Sequence, residues 1–423
     1  MTKVEGGRLR SILGGSAGNL VEWYDWYVYS AFTLYFAPVI FPKGSPTAQL
    51  LNAAAIFAVG FLMRPIGAWA MGVYSDRRGR KAGLTLSVTL MCLGSLVIAA
   101  TPTYERVGAF APAMLVLARM LQGLSVGGEY GASATYLSEM AGRDRRGFYG
   151  SFQYVTLIGG QLAALAVLLA LQALLSPAEL EAWGWRVPFA IGGLLAVAVF
   201  RIRRGLLETE SFRNMERKPS GGWALFREHP REAWTVMALT AGGTLAFYAY
   251  TTYMQKFLVN TGRFDRETAS RVMTAALLLF AAVQPLAGAL SDRVGRKPLL
   301  VGFGVAGVLG TAPLFLLLER VFDPFVAFAL VAAALAALSG YTAISGVLKA
   351  EMFPAHIRTL GVALPYAIAN TVFAGTAELA ALWLKQRGVE RWFYAYATAM
   401  IAVSLVAYLR MPDTKEHSRI VED

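Results

Sequence analysis

The chain has 423 residues, of which 56% are hydrophobic and 16% charged, and its mean hydropathy is +0.49. This composition excludes an ordinary soluble enzyme, which carries more charge and fewer apolar residues. The net charge of +12 does not indicate nucleic-acid binding, because the cations lie mainly in short loops between apolar runs. A single cysteine, Cys92, excludes an intrachain disulfide.

In chain order, the sequence predicts twelve apolar spans joined by short polar connections. A hydrocarbon core of ~30 Å requires ~20 apolar residues per helix, and the segments are about that long or longer. The first span carries Glu22 and Asp25 and lacks a small-residue cleavage site, so we expect a retained helix rather than a signal peptide. The predicted spans are 12–40, 50–74, 82–101, 110–139, 148–175, 184–203, 233–259, 267–290, 298–318, 324–349, 359–383 and 391–411.

The basic residues predict the topology. Most of the 39 lysines and arginines fall on the side that holds both termini and the longest polar segment, 201–232. Cytoplasmic loops carry an excess of Lys and Arg, so both termini are predicted to be cytoplasmic, as an even number of spans requires.

A charged loop occurs twice. Gly-Val-Tyr-Ser-Asp-Arg-Arg-Gly-Arg-Lys at 72–81 returns as Gly-Ala-Leu-Ser-Asp-Arg-Val-Gly-Arg-Lys at 288–297, about half the chain later. The repeat predicts two similar halves in the same orientation, related by an axis along the membrane normal. The predicted divisions are a first six-helix bundle at 1–200, a cytoplasmic linker at 201–232, a second bundle at 233–411 and a cytoplasmic tail at 412–423.

The duplicated loop resembles the signature of the major facilitator superfamily. The motifs at 18–25 (Gly-Asn-Leu-Val-Glu-Trp-Tyr-Asp), 61–67, 119–129 and 351–361 are similar to its metabolite:proton symporter branch. The resemblance implies an all-α membrane protein with twelve transmembrane helices in two six-helix bundles, related by a pseudo-two-fold axis. It also implies a conformational latch that holds the cytoplasmic side closed, formed by Gly72, Asp76, Arg77, Gly79, Arg80, Glu139, Asp292, Arg293, Arg296, Glu351 and Arg358.

Ionisable residues inside the spans are candidate functional residues, because a charge at mid-bilayer costs ~2.5–3.5 kcal/mol or more. Three cations lie there, and arginine in particular binds a carboxylate through two charge-assisted hydrogen bonds. We expect the cations to bind an anionic substrate at the seam between the halves, with neutral polar side chains adding hydrogen bonds. The predicted substrate ligands are Arg64, Arg119, Lys256, Gln122, Tyr154, Gln161, Tyr248 and Tyr341.

Carboxylates in the spans suggest how protons are coupled to transport. Asp25 or Glu22, with Glu129 as a third candidate, is predicted to pair with an arginine while ionised and to release it on protonation. The alternative is structural: these acids neutralise Arg64 or Arg119, Lys256 reaches the outer surface, and the neutral residues hold helices together.

The predicted function is proton-coupled uptake of 2-oxoglutarate or a similar dicarboxylate by alternating access. Longer stretches at 151–162, 251–256 and 348–354 resemble carriers of that substrate, while citrate, shikimate or a zwitterionic osmolyte remain alternatives within the branch. We expect a monomer in the bacterial inner membrane, in contact with lipid, that uses the proton gradient and no cofactor.

Other classes fit less well. Arg64 and Arg119 disfavour a wholly apolar cavity for drug export. The short tails disfavour a receptor, and neither a metal cluster nor a Gly-rich nucleotide loop is evident. The sequence therefore predicts a transporter and no enzyme.

Overall fold

The computed structural model describes residues 3–78, 80–204, 222–354 and 357–420. The described chain is helical apart from short connections and has no strand in those ranges. The predicted all-α fold class is confirmed. Side chains are described except at 3–18, 72–73, 75–85, 132, 136, 139–140, 199–204 and 222–224.

Twelve long helices, α1 to α12, account for most of the described chain. Eight of the described helices are long and apolar enough to cross a membrane by length and composition alone. π-helical turns interrupt α7 at Ala249–Tyr253 and α11 at Asn370–Ala374, and α10 breaks after Thr342. The bounds are α1 Lys3–Ile40, α2 Pro46–Arg78, α3 Arg80–Ala100, α4 Phe110–Met140, α5 Arg146–Leu174, α6 Val187–Arg204, α7 Pro230–Tyr248 with Met254–Asn260, α8 Arg266–Val294, α9 Arg296–Leu318, α10 Pro324–Thr342 with Ser345–Met352, α11 Arg358–Ala369 with Ala377–Gln386, and α12 Arg391–Arg410.

Short helices lie in the connections between these long ones. Tyr104–Val107 precedes α4, Pro177–Ala182 follows α5, and Gly222–Glu228 precedes α7. A capping box at Ser176 and Glu179 begins the helix at Pro177. Single 3₁₀ turns at Arg143–Arg145 and Gly184–Arg186 lead directly into α5 and α6.

The distribution of apolar and polar side chains between surface and interior is the reverse of that in a soluble protein. Large apolar side chains such as Leu62, Phe110 and Trp234 are exposed, whereas Arg119 and Gln122 are fully buried. Contiguous apolar surface of this kind is stable against hydrocarbon and not against water. The outer faces of the described helices are therefore apolar and the polar groups lie inside, as expected for a protein that spans a membrane.

The helix packing repeats after six helices. In the first half α1 packs on α5, α2 on α4 and α3 on α6; in the second half α7 packs on α11, α8 on α10 and α9 on α12. Between the halves, α5 packs on α8 and α2 packs on α11, which are the same pair under that repeat. The two-bundle architecture is therefore present. The predicted domain boundaries remain predictions, since the linker 201–232 falls largely on residues 205–221, outside the described chain.

Glycines bring the two halves into direct backbone contact near the ends that are predicted to be cytoplasmic. A Cβ placed on Gly147 of α5 would lie 2.6 Å from the Gly288 carbonyl oxygen of α8, and one on Gly288 would lie 2.5 Å from the Gly147 carbonyl oxygen. Real Cβ atoms do not approach backbone oxygens this closely. Small residues at these positions therefore permit the closed seam.

The C-terminal residues fold back under the second half. The Asp413 carboxylate accepts hydrogen bonds from the backbone N–H groups of Arg296 (3.1 Å) and Lys297 (3.0 Å), where α9 begins. Thr414 donates a hydrogen bond of 2.6 Å to Glu351, and Arg358 donates one of 3.0 Å to the Arg419 carbonyl oxygen. These contacts connect the tail to the inner ends of α9, α10 and α11.

We predict that Gly288→Val opens the side of the seam that is predicted to be cytoplasmic. The added side chain prevents α8 from approaching α5, so a cysteine at Ala367, a buried residue of α11, should react several-fold faster with a thiol reagent applied from that side. Cys92 is replaced by serine in this experiment.

Gly302→Val in α9 is the matched control, because a Cβ there meets nothing within 4 Å. Equal labelling rates in Gly288→Val and its parent, or an equal increase in Gly302→Val, would show that the seam does not depend on this contact.

Candidate functional site

A buried hydrogen-bonded chain connects Arg119 on α4 to Asp25 on α1. Arg119 Nη1 donates to Gln122 Oε1 at 2.6 Å, and Gln122 Nε2 donates to one carboxylate oxygen of Asp25. Ser95 of α3 donates to the other oxygen. The spacing of Arg119 and Gln122 places both on one face of α4. The direct ion pair expected between Asp25 and an arginine is therefore replaced by a relay through Gln122.

Arg64 on α2 is held among aromatic rings. Its guanidinium carbon lies 4.2 Å from the centroids of both the Trp26 and Phe61 rings and 5.6 Å from that of Trp23. The side chain is almost fully buried, and its Nε and Nη2 atoms have no hydrogen-bond partner among the described residues. Contact with aromatic faces compensates part of the desolvation of a cation and leaves its N–H donors unsatisfied.

The Trp26 ring contacts both arginines. The guanidinium carbon of Arg119 lies 3.9 Å from its centroid, and the rings of Tyr29 and Phe57 lie on the same group at 4.7 and 5.0 Å. Arg119 also has two buried nitrogen atoms without a hydrogen-bond partner in the described structure. Trp26 thus connects the Arg119 relay to Arg64.

Glycine on α4 sets the position of Arg64. A Cβ on Gly127 would lie 2.1 Å from the Arg64 carbonyl oxygen, and one on Gly123 would lie 2.0 Å from that of Gly60. Helices α2 and α4 therefore touch backbone to backbone where Arg64 and Arg119 project.

Arg64 lines a narrow cleft between the two halves, here named the central cleft. The space open to the centre of a water molecule is about 10 Å³, enough for one water and too small for an organic acid. With the halves in contact at α5–α8 and at α2–α11, this conformation is closed around the cleft. The lining residues are Asn19, Glu22, Trp23, Arg64, Val126, Gly127, Tyr130, Ala363, Tyr366 and Ala367.

Lys256 lies elsewhere and is already paired. Its ammonium group lies 2.8 Å from Glu378 Oε1 on α11, and both side chains are buried. It also donates a hydrogen bond of 2.9 Å to Ser30 on α1, so this ion pair contacts the opposite half. Lys256 therefore does not reach the surface, because its charge is paired inside the protein. Its contact with an anionic substrate stays a prediction.

The remaining candidates are distributed around the interior. Tyr154, Gln161, Tyr248 and Tyr341 are buried, and the last two have hydroxyl groups without a hydrogen-bond partner among the described residues. Tyr248 packs edge-on against Phe61, with ring centroids 5.2 Å apart, and so adjoins Arg64. Of the carboxylates, Glu22 lines the central cleft, and Glu129 is half-buried further along α4.

The second copy of the predicted latch connects the halves on the side predicted to be cytoplasmic. The Asp292 carboxylate accepts hydrogen bonds from the backbone N–H groups of Gly147 (2.7 Å) and Phe148 (2.8 Å) at the start of α5. An anion at a helix N-terminus is favoured by the unsatisfied N–H groups there. The Arg296 guanidinium forms salt bridges with Asp292 at 2.8 Å and with Glu351 at 3.3 Å.

Side chains are described for only some of the other predicted latch residues. Arg293 is exposed, and Arg358 donates to backbone carbonyls at 3.1 and 3.0 Å. The first copy lies outside the described side chains, namely Gly72, Asp76, Arg77, Gly79, Arg80 and Glu139.

Glu378 lies inside the eleventh predicted span, where the sequence already indicates an ionisable residue, and it forms the pair with Lys256. Lys349, a fully buried cation on α10, is the polar residue that the sequence did not single out. Because Lys349 comes at the end of a predicted span, a lysine there is normally interpreted as reaching toward water. Its spacing of four residues from Ser345, one helical turn, was the available signal.

Similarity to known proteins identifies the family to which this chain belongs. Residues 12–218 match the family described as sugar (and other) transporter, and residues 260–422 match the Major Facilitator Superfamily. The chain belongs to the major facilitator superfamily, a family of membrane transporters, and is not an enzyme. It is 52% identical to the α-ketoglutarate permease of Escherichia coli K12, over 96% of this chain and 94% of that protein.

Other relatives are more distant. The citrate-proton symporter of Salmonella typhi is 31% identical over 96% of this chain and 95% of its own. The glycine betaine/proline/ectoine/pipecolic acid transporter OusA of Dickeya dadantii is 31% identical over 98% and 85%. Among solved structures, the proton:xylose symporter XylE superposes with a TM-score of 0.76 at 20% identity, covering 97% of each chain, which supports the fold alone.

Asp292→Asn is expected to weaken cytoplasmic closure. An amide has one oxygen acceptor, so it cannot accept from both N–H groups of α5 while also facing Arg296 with a negative charge. Transport should slow, and a cysteine at Ala367 should become more accessible from the cytoplasm.

Asp323→Asn is the matched control, because Asp323 caps α10 through the same kind of contact, 2.7 Å from the Phe325 nitrogen, and asparagine also caps helices. The role assigned to Asp292 fails if both variants behave like the parent protein.

Glu378→Gln is expected to lower the free energy of unfolding by about 3–5 kcal/mol, because it leaves the Lys256 charge buried without its partner. The double variant Lys256→Met with Glu378→Leu should recover most of this stability, since apolar residues can replace a buried ion pair. Equilibrium unfolding in mixed micelles measures both. Equal destabilisation of the single and double variants would contradict a structural pair.

Proposed function

We propose that the protein imports 2-oxoglutarate, or a closely similar dicarboxylate, together with protons by alternating access between the two halves. The observation that carries the proposal is the Arg64 guanidinium, which is buried at the seam with N–H donors unsatisfied by any described residue. A planar carboxylate satisfies such donors in pairs. The 52% identity to an α-ketoglutarate permease supports this substrate above the others.

Arg119 carries the same guanidinium group as Arg64 but lies at a different position. It is fully buried and does not line the central cleft, and its contact with Asp25 passes through Gln122. We therefore assign Arg119 to coupling and Arg64 to direct substrate binding. Tyr248, beside Phe61 and Arg64, is the neutral hydrogen-bond donor that best fits the same carboxylate.

Proton coupling follows from the relay. Ionised Asp25 accepts hydrogen bonds from both Gln122 and Ser95. Protonation turns one carboxyl oxygen into a donor, so one of these bonds is lost and Gln122 is free to turn. Arg119 then loses its connection to a negative charge, and an incoming anion supplies a replacement. Loading with both proton and anion leaves the interior with less unbalanced charge, which favours reorientation.

The membrane arrangement is part of the proposal. The excess of basic residues in the connecting loops supports cytoplasmic termini and insertion in the bacterial inner membrane. The protein is proposed to act as a monomer surrounded by lipid. The proton gradient supplies the energy, ~2.3 kcal/mol per charge per 100 mV, without a cofactor.

The substrate is tested with purified protein in liposomes. Uptake of labelled 2-oxoglutarate should require an inward proton gradient, and among unlabelled dicarboxylates, tricarboxylates and zwitterions, 2-oxoglutarate should compete best. Preferential competition by citrate or by betaine would replace this substrate with those carried by the more distant relatives.

Asp25→Asn should abolish proton-driven accumulation and leave substrate exchange, which needs no net proton movement. Glu22→Gln is the matched comparison, since Glu22 is the cleft carboxylate. The reverse pattern would assign the proton to Glu22. Normal accumulation in both variants would remove both residues from the coupling mechanism.

A further inference from the structure

Lys349 is a fully buried cation that forms no ion pair with any carboxylate of the described residues. Its ammonium group donates a hydrogen bond of 2.8 Å to Ser345 and lies 3.3 Å from the Tyr130 hydroxyl oxygen. The ring centroid of Tyr366 lies 4.1 Å away. No carboxylate of the described residues forms an ion pair with it. Hydroxyls and aromatic faces therefore form its surroundings.

This environment is unusual beside the other buried cations of the second half. Lys256 is paired with Glu378 at 2.8 Å, and Arg296 with Asp292 at 2.8 Å. An ammonium group in a low-dielectric interior carries a desolvation cost that hydroxyls compensate only partly. A methionine or leucine would fill the same space without that cost. The charge of Lys349 thus favours a ligand that brings an anion.

Two tyrosines connect Lys349 to the central cleft. Tyr130 of α4 and Tyr366 of α11 stack with ring centroids 3.7 Å apart, one from each half. Both rings line the cleft that holds Arg64, and both contact Lys349. The ring pair therefore adjoins one cation of each half, Arg64 on α2 and Lys349 on α10, and neither forms an ion pair with a described carboxylate.

We infer that Lys349 binds the second carboxylate of the substrate, opposite the carboxylate held by Arg64. The inference rests on the proposed function. A dicarboxylate carries two anionic groups on one short chain, and a cation from each half lets a single ligand hold the halves together. Because the closed cleft has room for only one water, the Tyr130 and Tyr366 rings separate as the substrate enters. This subsite takes the place that sequence reasoning gave to Lys256.

The test compares two ligands that differ in one carboxylate. 2-Oxoglutarate and 2-oxopentanoate share the same carbon chain, and the second has a methyl group where the first has its terminal carboxylate. In substrate exchange, Lys349→Met should weaken competition by 2-oxoglutarate roughly 10- to 100-fold, as expected for loss of a hydrogen bond to a charged group. Competition by 2-oxopentanoate should not change. Lys349→Arg should retain most of the preference.

Lys349→Met keeps an unbranched side chain that is one atom shorter and removes a buried charge, so it should fold. Lys43→Gln on the exposed surface is the control. Equal weakening of both ligands would indicate a structural role and overturn the inference. Unchanged preference with loss of proton-driven accumulation would assign Lys349 to proton transfer instead, which also overturns it. If the wild-type protein exchanges no dicarboxylate, the proposed function itself fails.

Discussion

Positive charge buried without a described counter-ion is the constraint on which the interior of this protein depends. Arg64 and Arg119 both lie against the ring of Trp26. Each has N–H donors that form no hydrogen bond with any described residue. Aromatic rings lower the cost of keeping these groups out of water, yet they cannot accept the directional bonds that a guanidinium offers. Aromatic contacts therefore stabilise these buried cations while leaving N–H donors that a carboxylate could satisfy.

The two ends of the seam are closed by different chemistry. Near the start of α5, the Asp292 carboxylate accepts hydrogen bonds from the N–H groups of that helix, and glycines allow the backbones to touch. Elsewhere along the seam, the Lys256–Glu378 pair contacts the Ser30 hydroxyl. Both contacts are short and polar, and each joins elements of opposite halves. Such contacts can break and re-form as the bundles rock, whereas the packing inside each half repeats and stays intact.

How far the sequence predicts this site depends on the kind of contact. The repeated loop and the apolar spans determine the two-bundle fold, because the membrane permits few alternatives. Arg64 can be predicted as a functional residue from the sequence, because an arginine in the middle of a membrane span is energetically costly. The Asp25–Gln122 contact joins residues that are far apart in the chain. Lys256 and Glu378 each follow a π-helical turn, and no local sequence pattern indicates either turn. Lys349 was missed because burial at a span end depends on how deeply the neighbouring half packs against it.

The folded C-terminal segment has a practical consequence for handling the protein. Asp413 caps α9, Thr414 donates a hydrogen bond to Glu351, and the backbone of Arg419 contacts both Glu351 and Arg358, so this segment adjoins the predicted latch. An affinity tag or fluorescent fusion attached close to this segment would strain those contacts. A long flexible spacer would leave the latch geometry undisturbed.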